Sequence, residues 1–266
     1  MDIIVCIKQV PDPDAPADTF KIDREQKRVI PPPNVDPVIT LYDEHAIEAA
    51  LQLKEQHGGK VTVLSMGPDS VQRAIKQALA MGADEGYHLN DEAFLDADAY
   101  TTAYALAQAI KKLGRFDLIL CGRQASDWDQ GQVGVGIAEF LGIPSITLVV
   151  KAEVQDSGLR VERLVEGGYE VIETSLPALL TVSSEMNKPR YPTLKGIMAA
   201  GRKKVPVWGA SDLGIDTTQV GAQAALMELR DLYIPQHEGQ CEFIEGETPE
   251  EIVENLARRL REAKII

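Results

Sequence analysis

Five short apolar runs, each rich in β-branched residues, constrain this chain most strongly: Ile3–Ile7 (IIVCI), Val61–Ser65 (VTVLS), Phe116–Cys121 (FDLILC), Ile146–Val150 (ITLVV) and Ala178–Val182 (ALLTV). A run that is apolar on both faces suits a parallel sheet covered by helices on each side. The intervening segments carry the period of a helix. Asp43–Gln56 places Ala46, Ile47, Ala50, Leu51 and Leu53 on one stripe, and Ser70–Met81, Asp98–Leu113 and Gln132–Leu141 repeat the pattern. Strand–helix alternation over roughly the first 145 residues predicts a doubly wound, mostly parallel α/β sheet with right-handed crossovers.

Two departures from that rhythm divide the rest of the chain. In residues 151–176, Leu159, Val161 and Leu164 alternate with polar residues. Gly167-Gly168 then precedes Tyr169, Val171 and Ile172, the pattern of a β-hairpin insertion. Residues 187–204 hold six basic side chains and no acid, in a chain whose formal net charge is −14. Beyond them periodicity is weak until Thr248, Pro249 and Glu251 supply a cap, a first helical residue and a capping-box partner. The expected organisation is an α/β domain over 1–204 and an extended C-terminal arm and helix over 205–266, which lacks a core of its own and either wraps its domain or embraces a partner subunit.

With aromatics at only 5%, the core must rest on Val, Ile, Leu and Ala. The acidic balance argues against a nucleic-acid partner, which requires a positive footprint. No stretch approaches the ~20 apolar residues of a membrane span, and Met1-Asp2 opens no basic targeting segment. Cys6, Cys121 and Cys241 form no CxxC pair, and the first two close apolar runs as buried thiols would. A soluble, cytoplasmic protein is expected.

An open α/β sheet binds ligands beyond the carboxyl ends of its strands, where the strand order reverses. The segment after the first run, KQVPDPDAP, lacks GxGxxG, and no GxxxxGK[ST] occurs anywhere, which sets aside conventional dinucleotide dehydrogenases and P-loop NTPases. After Cys121 comes GRQASDWDQGQVGVG, residues 122–136. Small residues there admit a close ligand, the following helix start offers N–H groups to phosphate, and Asp127 and Asp129 offer acceptors to ribose. A solvated loop with a helix cap is the competing reading. Cys6, Thr40-Leu41-Tyr42-Asp43 and Met66 end or flank neighbouring elements and would line the same crevice as an adenine pocket. Taken singly, Asp43 reads as a helix cap and Met66 as core filler. No metal cluster, HxxxH or GxSxG is present; His45 and His57 are expected on a mostly solvent-facing helix side, His88 at a strand end and His237 in the tail. The pattern is that of a nucleotide binder without catalytic acid–base machinery.

The segments IIVCIKQVPD, YDEHAIEAALQLKE, AIKQALAMGADEGYHL, CGRQASDWDQGQVG and PRYPTLKGIMAAGRKK, in this order from residue 1 to 204, resemble the β subunit of electron transfer flavoprotein. The resemblance implies an adenine nucleotide-binding, Rossmann-like core. It implies a heterodimer with an α subunit that carries a redox-active FAD, and docking to a flavin-dependent dehydrogenase. By position, the family's nucleotide contacts fall on Cys6, Thr40, Leu41, Tyr42, Asp43, Met66, Gly122, Arg123, Gln124, Ala125, Ser126, Asp127, Trp128, Asp129, Gln130, Gly131, Gln132 and Val133. The leucine by which the family docks its dehydrogenase falls on Leu194, inside the basic segment. An apolar anchor ringed by charge suits a transient redox contact.

Members that hold AMP in this chain usually carry Asn and Thr where Gly131 and Val133 stand. Electron-bifurcating members, which oxidise NADH on a second FAD, carry small and apolar residues there. Trp128 departs from the Gly usual in that second group. A terminal phosphate calls for two or three charge-assisted donors, whereas a diphosphate crossing the loop can be held by backbone N–H groups. The resemblance therefore implies FAD or AMP in this chain, with NADH-oxidising bifurcation as the alternative function. A nucleotide sensor resembling universal stress proteins is a further alternative on the same core.

Overall fold

The protein is described here from a computed structural model covering residues 1–156, 158–235, 239 and 241–266; His237 lies outside the described residues. Nine strands form one sheet: β1 (Asp2–Cys6), β2 (Lys60–Met66), β3 (Glu85–Leu89), β4 (Leu118–Gly122), β5 (Ser145–Gln155), β6 (Gly158–Val165), β7 (Gly168–Thr174), β8 (Ala178–Val182) and β9 (Val207–Trp208). Their spatial order is β7-β6-β5-β8-β4-β1-β2-β3-β9. All neighbours are parallel except β5/β6 and β6/β7, the expected hairpin insertion. The chain winds outward from β1 through β2 to β3, then returns to place β4 on the other side of β1. The order reverses between β1 and β4, where Cys6 pairs with Cys121.

Successive strand residues point to opposite faces, and β1 shows how that builds two cores. Ile3 and Val5 join one cluster with Ile47, Val63, Ile75 and Leu120, beneath α1 (Leu41–His57) and α2 (Val71–Met81). Ile4 and Cys6 join the opposite cluster with Leu64, Leu106, Ile119 and Ile137, beneath α3 (Ala99–Leu113) and α4 (Gln132–Leu141). Almost every large buried side chain is aliphatic, as an aromatic-poor chain requires.

The runs and helical patterns fall where the periodicity places them. Outside the hairpin insertion, two strands carry no comparable apolar run: β3 (EGYHL), whose Glu85 and His88 interrupt it, and β9, which adds two residues to the sheet edge beside β3. Past residue 204 the chain still feeds the body, since Trp208 packs on Tyr87 with ring centroids 4.5 Å apart and Ala210, Ile215 and Val220 are buried. Farther on, the chain is held at discrete points. Asp98 caps α3 through Thr101 and also accepts the backbone N–H groups of Leu226 and Met227 at 2.7 and 3.0 Å. Arg24 pairs with Asp231 at 2.6 Å, and Lys27 donates to the Leu229 carbonyl. The last helix, α6 (Pro249–Glu262), is capped by Thr248 as expected and buries none of its residues. Its Glu251 carboxylate accepts from the N–H of Glu247, one residue before the cap.

Burial raises the Asp98 carboxyl, but the N–H donors from Thr101, Leu226 and Met227 outweigh it and hold the group below the usual range. A depressed carboxyl stabilises above its unfolded pKa, and that contribution is lost as pH falls through the folded one. Asp98→Ala is expected to cost about 1–3 kcal/mol at neutral pH and to open residues 226–235 to protease. Unfolding midpoints and the cleavage map check both.

Candidate functional site

The crevice beyond the carboxyl ends of β1 and β4 is organised by one carboxylate. Asp43, in the first turn of α1, is 6% exposed and accepts the backbone N–H of Lys8 at 2.6 Å and of Gly122 at 2.8 Å. Lys8 lies two residues past β1 and Gly122 is the last residue of β4, so a side chain from α1 ties the two strands at their reversal. Burial pushes the Asp43 carboxyl up to about 7, against the pull of the two N–H groups and the Lys8 ammonium and reinforced by Asp127. Asp43 is therefore a structural brace of the candidate site, and the Thr40 side chain makes no capping bond for α1.

Residues 122–131 fold back over this brace. The Ala125 N–H donates to the Gln130 carbonyl and the Asp129 N–H to the Ala125 carbonyl, closing a tight turn with Asp129 at a left-handed φ of 52°. Gln124 donates to the Asp129 carboxylate at 2.7 Å. The turn is pinned from outside by the Thr40 hydroxyl on Ser126 at 2.8 Å and by the Lys8 ammonium on Asp127 at 2.8 Å. Arg123 lies over the Tyr42 ring, 5.0 Å from its centroid, with the Ser183 hydroxyl 3.5 Å away.

The structure thus brings Cys6, Thr40, Leu41, Tyr42, Asp43 and the 122–133 segment to one end of the sheet, with Met66 closing the adjacent β2. Cys6 is buried beside Cys121, and the hydrogen bond between the two thiols, together with burial, lifts the Cys121 thiol well above its usual range, so it is an inert packing group. Leu41 and Trp128 are exposed. The strand-end rule that pointed to these residues also points to Lys8, two positions beyond β1, which the motif reading left out. Ser183, just past the end of β8, is a second omission.

A phosphate-bearing ligand fits the features at the start of α4. Gly131 is the cap residue, no side chain occupies the cap, and no acid stands in the first turn. A Cβ at Gly131 would lie 2.7 Å from the Arg123 carbonyl, so backbone alone fills that position. First-turn N–H groups have no partner within a helix and carry its positive end. Arg123 and Lys8 add cationic groups nearby. Among the described residues there is no cluster of side chains suited to a metal ion, and no helix is long and apolar enough to cross a membrane.

Leu194 stands apart from this crevice. It opens α5 (Leu194–Arg202), capped by Thr193, and is 76% exposed beside exposed Tyr191, Ile197 and Met198. The approach to α5 is clamped by α1. Asn187 and His45 exchange two hydrogen bonds, and Arg190 spans Glu48 and Glu55. His45, expected toward solvent, is instead 7% exposed because Asn187 covers it. The acid-free run is also less cationic than it reads, since α1 supplies two carboxylates to Arg190.

A family model described as the electron transfer flavoprotein domain matches residues 34–213. An electron transfer flavoprotein subunit beta from Thermoanaerobacterium thermosaccharolyticum is 44% identical over the whole of both chains. Subunit CarD of the caffeyl-CoA reductase-Etf complex of Acetobacterium woodii is 40% identical, again over the whole of both. Protein FixA of Azorhizobium caulinodans is 39% identical, covering 88% of this chain and 85% of its own.

Proposed function

The chain belongs to the electron transfer flavoprotein family as a β subunit, a component of electron transport, and we propose that it holds an adenine nucleotide across the β1/β4 crevice while docking a dehydrogenase through α5. The observation that carries this reading is the Asp43 brace, which sets the loop 122–131 over the strand-order reversal. In this reading the chain pairs with an α subunit that carries the redox flavin.

FAD is the nucleotide favoured here over AMP. Gly131 and Val133 give the start of α4 no hydroxyl or amide side chain for a terminal phosphate, while its backbone N–H groups suit a diphosphate. FAD, when bound, supplies one- and two-electron carriage. The chain's own residues do the rest. Arg123 and the first turn of α4 hold phosphate charge, Asp127 and Asp129 accept from ribose, and Lys8 fixes the turn that carries them. The reading gives no described residue the role of acid or base. NADH oxidation with bifurcation is the second reading, resting on the same two positions and on the name of the CarD relative.

The test is to purify the heterodimer, denature it and identify the released nucleotide by mass spectrometry. Two FAD per heterodimer is the expected result; one FAD with one AMP overturns the FAD reading, and no adenine nucleotide from this chain overturns the site.

Docking is tested separately. Leu194→Ala is expected to leave nucleotide content unchanged and to slow electron transfer about tenfold or more, the loss of a central apolar anchor. Because one relative is named for a caffeyl-CoA reductase-Etf complex, a dehydrogenase acting on CoA thioesters is the donor we would assay first. Unaltered transfer kinetics would refute the role.

A further inference from the structure

Helix α5 exposes most of its apolar side chains and buries only Ala200. A nine-residue helix with one buried alanine is too short and too weakly packed to hold its own orientation. Polar contacts to α2 hold it instead. Gly196 lets α5 lie against the carbonyl of Ala80 at the end of α2. The Lys76 ammonium, from the middle of α2, donates to the carbonyls of Ala200 and Lys203, the last turn of α5. Lys203 reciprocates, donating to the carbonyls of Ala83 and Asp84 just past α2, at 2.8 Å each. Each lysine thus meets carbonyls at the far end of the other segment, where a helix carries its negative pole. The exposed cations of the segment, Lys195 among them, make no such bonds among the described residues.

We propose that Lys76 is a positioning residue for electron transfer: by capping α5 it presents Leu194, Ile197 and Met198 to the dehydrogenase as one fixed face. This rests on the docking reading above and deepens it. A pre-set face avoids the ordering cost of binding, so its loss raises KM and leaves the transfer step unchanged once the partner is bound. Lys76 lies on α2, away from the Asp43 brace and the 122–131 turn, so nucleotide binding is not its task.

The experiment uses the purified heterodimer as acceptor and a flavin-dependent acyl-CoA dehydrogenase, reduced by its thioester, as donor. Lys76→Met keeps the aliphatic stem and removes the ammonium; Leu194→Ala is measured beside it. The expected result is a KM about tenfold higher for Lys76→Met, with kcat, nucleotide content and unfolding midpoint near wild type. Faster amide hydrogen exchange should be confined to residues 195–203. Should Leu194→Ala raise KM while Lys76→Met does not, the positioning role is overturned and docking stands. Should Leu194→Ala change nothing, docking falls and the positioning role with it. A joint loss of kcat, nucleotide and midpoint marks Lys76 as general scaffolding and also overturns the proposal. Where Lys76→Met does not assemble, Lys203→Met removes the reciprocal cap and is read by the same criteria.

Discussion

Gly122→Ala is expected to empty the proposed nucleotide site. The added Cβ would stand 2.5 Å from the Asp43 carboxylate, 2.7 Å from the Tyr42 Cβ and 2.8 Å from the Tyr42 carbonyl carbon. None of these is the free end of a flexible side chain. Asp43 is held by two N–H groups, and Tyr42 is partly backbone, so the start of α1 must move away from β4. That movement breaks the bond from Gly122 to Asp43 and shifts the Thr40–Ser126 contact that pins the turn. Overpacking of this kind costs about 1–3 kcal/mol in stability. A nucleotide affinity lowered about 100-fold, near 2.7 kcal/mol, follows from losing the arrangement. Nucleotide content of the purified heterodimer and urea unfolding measure the two effects. Wild-type content with a wild-type midpoint would show that the strand end has room to give.

Replacing Asp43 should have the next largest effect, and its size should depend on pH. Asp43→Ala leaves the N–H groups of Lys8 and Gly122 without an acceptor in a partly buried position, at about 1 kcal/mol each. Asp43→Asn restores one acceptor but turns its amide toward the other donor, so about half of that penalty remains. The carboxyl is raised from 3.8 to about 7, chiefly by burial. The native state therefore binds the proton more tightly than the unfolded chain does. Its contribution is complete below about pH 4 and is lost as pH rises through 7, by at most about 4 kcal/mol. Asn does not titrate. Wild type should thus exceed Asp43→Asn most clearly near pH 4–5, with the gap narrowing toward pH 8. Urea midpoints across that range decide it; a gap that widens with pH would mean that Asp43 is ionised throughout.

Periodicity made the sheet and its helices legible because both cores are built from strictly alternating aliphatics, Ile3 and Val5 to one side and Ile4 and Cys6 to the other. It did not reveal β3 or β9 as apolar runs, since Glu85 and the buried His88 interrupt β3 and a two-residue strand has no period. The candidate loop was legible from its glycines and its place after β4. Its internal bonding was not, because the Gln124–Asp129 and Lys8–Asp127 contacts depend on a left-handed residue and on a distant strand end. The burial of His45 escaped for a similar reason, since it depends on Asn187, 142 residues away. The basic stretch 187–204 read as uniform charge, yet Arg190 and Lys203 spend their donors on α1 and on the end of α2.

The reversal of strand order between β1 and β4 has a consequence for how the subunit matures. Residues that frame the crevice come from positions 8, 40–43 and 122–133, and they meet only when the central strands have closed. In the proposed reading a newly made chain consequently has no partial foothold for the ligand, and occupancy would arrive last, after the most distant pairings are in place. In the proposed reading a bound ligand stabilises the whole α/β body rather than a single turn, because the groups it would touch come together only in the folded sheet. Starvation for the nucleotide would then be felt as poor accumulation of the subunit before it is felt as slow turnover.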